Sequence, residues 1–150
     1  VDLVLRLKSD FGALIAGLKD SSGDFAQSAA FIEATGGVDA DFDVYPSSET
    51  MLWDGLALGS AGIISGSTNA FGSYAQAALQ APEGAARDKA MEIVRAARTI
   101  AGKYPLMAAM KQIEVWRGFD DSWSRMAPPL VPLSDSQKTD LCADLKNLNK

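Results

Sequence analysis

Three short apolar runs govern what this chain can become. ALIAGL (residues 13–18), DFDVYP (41–46) and AGIIS (61–65) are each followed closely by a helical pattern entered through capping or small polar residues. Runs of that length suit strands buried on both faces, so the order reads βαβαβα, the pattern of a parallel sheet or barrel. The helices carry their own punctuation. Asp24 is placed to cap a helix over 24–35 that stops at Gly36 and Gly37. Ser47 or Ser48 caps the next, with Glu49 in its first turn and Gly59 at its end, and GSTNAFGSYAQAALQA enters a third.

After Pro82 the alternation ceases. Residues 84–102 place Ala90, Ile93, Val94, Ala97 and Ile100 at helical spacing, and 104–118 form a second helix that tolerates Pro105 in its first turn. The segment MAPPLVPLS is extended, because Pro128 and Pro129 exclude helix, and a last helix opens on a Ser134/Gln137 capping box. The reading is therefore α/β over residues 1–81 with a three-helix C-terminal extension over 82–150. About eight strands are needed to close a barrel, typically in about 250 residues. Three βα units are then either the second half of a barrel or a small open sheet with a helical tail. The start, VDLVLRLKSDFG, reads as a helix already under way that stops near Gly12, with no initiator Met and no signal-peptide layout. That favours the half-barrel and leads us to expect an N-terminal part before it.

With 150 residues, 47% of them apolar, the chain can bury a sizeable core as one domain. Its 19 acids against 14 scattered bases, net −5, disfavour nucleic acid and anionic membranes as partners. The apolar stretch LALGSAGII (56–64) falls far short of the roughly 20 residues of a membrane span. A single cysteine, Cys142, excludes an internal disulfide and reads as a small half-buried hydrophobe. Without histidine there is neither a Cys/His zinc cluster nor a histidine base. A reducing, cytoplasmic setting is consistent with this.

Ligands of α/β folds sit on the loops after the strands. Those loops carry Lys19 to Ser22, Ser47 to Glu49, and Ser65 to Asn69. Lys19 ends an apolar run, where desolvation disfavours an ammonium and the neutral amine attacks carbonyls to form a Schiff base. A strand-end lysine also snorkels to water or pairs with a neighbour such as Asp20 or Asp24. Ser47, Ser48 and Glu49 suit a helix cap as well as a ligand site. Gly59, Gly62 and Gly66 lack the lysine of a phosphate loop and suit close backbone packing. Trp53, Trp116 and Trp123 read as packing residues.

Taken together, the stretches GLKDSSGD (17–24), LALGSAGIISGSTN (56–69), YPLMAAMKQIEVWRG (104–118) and PPLVPLS (128–134) resemble the dihydrodipicolinate synthase and N-acetylneuraminate lyase family of class I aldolases. The resemblance implies the C-terminal half of a (β/α)8 TIM barrel. It implies that Lys19 forms an imine with C2 of pyruvate or a related 2-oxo acid, for aldol addition or cleavage, without metal or organic cofactor. It places Ser21 by the substrate, and Ser47 and Glu49 where the lyase branch binds distal hydroxyls, although Ser47 stands in place of a glycine. It also places the Ile64 carbonyl near the lysine and Gly66 in the pocket lining, and it implies a homotetramer. The aldehyde or sugar-acid partner stays open, as does a sugar-acid aldolase, dehydratase or sialic-acid-type lyase activity. A non-catalytic half-barrel module is the remaining alternative. The family's glycine-rich carboxylate site and its Y-N-x-P tyrosine do not occur in these 150 residues, so the isolated chain is expected to be inactive.

Overall fold

The computed structural model describes residues 1–148, which divide into two compact units, one over Val1–Ser65 and one from Gly66 onward. The first holds α1 (Asp2–Phe11), β1 (Gly17–Lys19), α2 (Phe25–Thr35), β2 (Asp43–Tyr45) and α3 (Leu52–Leu58). β1 and β2 pair in parallel with Gly17, Leu18 and Lys19 opposite Asp43, Val44 and Tyr45. A parallel pair needs a crossover, and α2 supplies it. Phe42 and Val44 are fully buried with Ile32, and Val4, Ile15, Leu18 and Phe31 pack around them.

Helix limits follow local chemistry. The Asp24 carboxylate accepts from the Ala26 amide at 3.0 Å, and α2 ends at Gly36 with φ 84°, a left-handed cap that favours glycine. Lys8 of α1 donates to the Thr35 carbonyl at 3.1 Å, a cation on the last turn of α2, and sits 5.0 Å from the centre of the Phe42 ring. Of the two serines proposed as the second cap, Ser48 takes the role, accepting from the Thr50 amide ahead of a 3-10 turn over Glu49–Met51.

The strands are shorter than their apolar runs. Residues 12–14 form a 3-10 turn where strand is expected, and Leu14 is 84% exposed. Gly12, at φ 56°, ends α1, and the chain spends three residues turning before it extends. The third run, 61–65, lies beside β2 without forming a regular ladder. The Ala61 amide donates to the Val44 carbonyl and the Ile64 amide to that of Pro46, both at 3.1 Å. Three residues on one side thus span two on the other, an irregularity like a bulge, and Gly62 within it has φ 147°.

The second unit is helical: α4 (Thr68–Gln80), α5 (Ala85–Gly102), α6 (Leu106–Trp116) and α7 (Asp135–Leu148). Its core joins Ala70, Phe71, Ala97, Ile100, Ala101, Ala108, Ala109, Met110, Ile113, Leu133 and Leu141. The many alanines let the helices approach closely. On α5 the expected apolar positions Val94, Ala97 and Ile100 are buried, but Ile93 is exposed and Ala90 only half-buried, while Met91 and Ala101 are buried as well. The capping box of α7 is reciprocal, Gln137 amide to Ser134 Oγ at 3.2 Å and Ser134 amide to Gln137 Oε1 at 2.9 Å. Across the unit, the Tyr104 hydroxyl and Lys103 Nζ both reach the Asp144 carboxylate.

Candidate active site around Lys19

β1 delivers Lys19 to its C-terminal end, where the side chain is exposed and Nζ donates to Ser21 Oγ at 2.5 Å. A desolvated lysine is expected there, but among the described residues its side chain is exposed. Its partner is the serine two residues on, and neither Asp20 nor Asp24 forms an ion pair with it.

Asp20 is instead turned inward and only 5% exposed. Its Oδ1 accepts from the Ser22 amide at 2.9 Å and from Gln27 Nε2 at 3.4 Å, and its Oδ2 accepts from Ser28 Oγ at 2.6 Å and Ser22 Oγ at 3.0 Å. Burial pushes this carboxyl up, but the hydrogen bonds from Ser28, Ser22 and Gln27 together outweigh it and hold the carboxyl below its ordinary value. The Asp20 amide donates to the Tyr45 carbonyl at 2.9 Å, which extends the sheet by one bond beyond β1.

Gly17, Lys19, Asp43, Tyr45 and Ile64 line one open cleft. Parallel register puts Lys19 and Tyr45 side by side, and the Tyr45 hydroxyl donates to Asp43 Oδ2 at 3.0 Å. That hydrogen bond, with burial and the charge of Asp43, raises the Tyr45 pKa. Gly17 is required opposite Asp43, because a Cβ there would stand 2.3 Å from the Asp43 carbonyl oxygen.

The other candidate residues are distributed differently. Ser47 is half-buried on the turn after β2, while Glu49 is 1% exposed, with Oε2 accepting from Ser65 Oγ at 2.7 Å. Neither lines the Lys19 cleft. Gly66 opens the second unit, where a Cβ would come 3.2 Å from Leu106 Cδ2. Lys19, Ser21 and Ile64 are thus gathered, whereas Ser47 and Glu49 stand apart from them within the same unit. Asp43 and Tyr45 are not among the candidate residues of the sequence, and Asp20 is among them only as an ion-pair partner of Lys19. The available signal was alternation, since Asp43 and Tyr45 flank the buried Val44 and so share a face.

Residues 2–148 match the dihydrodipicolinate synthetase family. The chain belongs to that family. Among solved structures it is similar to YagE, a prophage protein of the dihydrodipicolinic acid synthase family from E. coli K12 in complex with pyruvate, at 27% identity and TM-score 0.81 over 99% of this chain and 50% of that one. The dihydrodipicolinate synthase of Agrobacterium tumefaciens is 26% identical, with TM-score 0.77 over 99% and 48% of the two chains. The N-acetylneuraminate lyase of Proteus mirabilis, at 22% identity and TM-score 0.75 over 99% and 50%, shares the fold. The chain spans about half the length of these structures, in keeping with part of a TIM barrel followed by C-terminal helices. No curated protein sequence matches it. Among the described residues no helix is long and apolar enough to cross a membrane, and no group of three or more His, Cys, Asp or Glu is placed to hold a metal.

Proposed function

We propose that this chain supplies the Schiff-base lysine of a lyase or synthase that acts on pyruvate or a related 2-oxo acid. The observation that carries the reading is Lys19 itself, at the end of a parallel strand in GLKDSSGD, its amine open to a cleft and bonded to Ser21. In this reading Nζ attacks the C2 carbonyl, water leaves, and the imine acidifies the adjacent carbon. The resulting enamine then adds to an aldehyde or is released from one. Ser21 orients the amine or a substrate oxygen, and the Ile64 backbone borders the reacting carbon. No metal or organic cofactor enters the scheme.

Residues 1–81 then contribute to a barrel and 82–150 form its helical extension, in a cytoplasmic homotetramer. The carboxylate clamp and the proton-shuttling tyrosine come from barrel residues outside these 150. A second reading, cleavage of sugar acids, draws on Ser47, half-buried on the turn after β2 where hydroxyl ligands belong in the lyase branch.

Borohydride reduction with pyruvate tests the proposal, on the chain alone and on the chain combined with a barrel-completing N-terminal half of a family member. The expected result is a stable adduct on Lys19 in the combined sample, absent from Lys19→Ala. An adduct that survives Lys19→Ala, or none in a correctly folded combination, favours the non-catalytic module. Turnover of aspartate semialdehyde with pyruvate, compared with cleavage of 2-keto-3-deoxy sugar acids, separates the two enzyme readings.

A further inference from the structure

Asp20 stands next to the reactive lysine yet faces away from it, and four donors converge on its buried carboxylate. The donors come from both ends of one turn. Ser22 lies two residues on, while Gln27 and Ser28 lie in the first turn of α2. The Ser22 hydroxyl also accepts from the Asp24 amide at 3.1 Å, so the carboxylate is linked to the residue that caps α2. On the other side the Asp20 amide is tied to the Tyr45 carbonyl of β2. Ser21 sits between two residues that are both fixed, and its exposed side chain is left to face the opposite way, toward Lys19 Nζ at 2.5 Å.

We propose that Asp20 is the positioning residue of the Lys19–Ser21 pair: its buried carboxylate clamps the turn between β1 and α2, and it acts on the lysine through Ser21. The inference deepens the Schiff-base reading but does not require that pyruvate be the substrate, because the contact it explains belongs to this chain. Its carboxyl lies below the ordinary range, so the clamp is charged, and each of the four bonds is made to an anion.

The test is competitive reductive methylation of the folded chain with formaldehyde and cyanoborohydride, read lysine by lysine by mass spectrometry, with exposed Lys89 as internal reference. Ser21→Ala frees the amine and is expected to raise Lys19 labelling at least threefold relative to Lys89. Asp20→Ala is expected to give the same rise, and the double variant no more than either single one, because both changes break one path. Asp20→Glu, which keeps the charge, is expected to restore much of the parent rate. Asp20→Asn keeps the volume and serves in place of Asp20→Ala if that variant does not fold. Parent-like labelling of Lys19 in both Asp20→Ala and Asp20→Asn, an additive double variant, or a Ser21→Ala chain that labels like the parent overturns the proposal. A missing pyruvate adduct in the parent leaves these outcomes standing and removes only the Schiff-base reading.

Discussion

The two units of this chain are stabilised by different means. Residues 1–65 bury few large side chains, chiefly Ile32, Phe42 and Val44, and rely on a polar network around Asp20. From Gly66 onward four helices share a broad apolar core, and their polar contacts lie at its margins. The lesson is one of division of labour. Dispersion and burial hold the helical unit, whereas directed hydrogen bonds hold the unit that carries the lysine, where position matters more than bulk.

That contrast is open to breaking. Phe42→Ala removes the largest side chain of the small core and the Lys8 ring contact, and is expected to cost about 3–5 kcal/mol. Hydrogen exchange should then accelerate for α2 and β2 amides before those of α5 and α6, and uniform acceleration would show that the two units unfold as one. Gly17→Ala, which drives a Cβ against the Asp43 carbonyl, should cost about 1–3 kcal/mol. In denaturant melts followed by amide NMR, its effect should be confined to residues 1–65.

Titration sharpens the comparison further. In the second unit, hydrogen bonds from Tyr104 and then Lys103 hold Asp144 below its ordinary range. Burial, followed by its bond to Asp144, pushes Tyr104 up to about 12. A depressed carboxyl stabilises the fold above its unfolded value, about 3.9, and that contribution is lost as pH falls through the lower folded value. A raised tyrosine does the reverse. Its contribution is complete below about 10 and fades as pH rises toward about 12. Tyr104→Phe is expected to cost about 1 kcal/mol at neutral pH and to abolish the alkaline loss, as read by melting temperature across pH. The smallest effect belongs to the exposed pair Lys138–Asp135, 3.6 Å apart, where Lys138→Ala should change stability by less than about 0.5 kcal/mol.

Much of the architecture was legible because it is written in local chemistry. Asp24 and Gly36 bound α2, Ser134 and Gln137 box the start of α7, and the spacing of apolar residues on α5 finds Val94, Ala97 and Ile100 of its buried face. The lysine motif was legible too, as a continuous stretch on one strand and one turn. Less legible were the ends of the strands and the company of the lysine. ALIAGL is uniformly apolar, and nothing in that run tells a 3-10 turn from a strand.

By itself, the sequence determined the order of the helices, most of their caps, the family and the lysine motif at the end of β1. Tertiary structure alone decided that Lys19 meets Ser21 and not an acid, that Asp20 turns inward to four donors, and that Asp43 and Tyr45 come to lie beside the lysine. The physical reason is range. Capping and helical periodicity act over three or four residues, which the chain displays directly, but strand register is set by pairing across 26 residues, and the direction of a carboxylate by donors that exist only once the turn has closed.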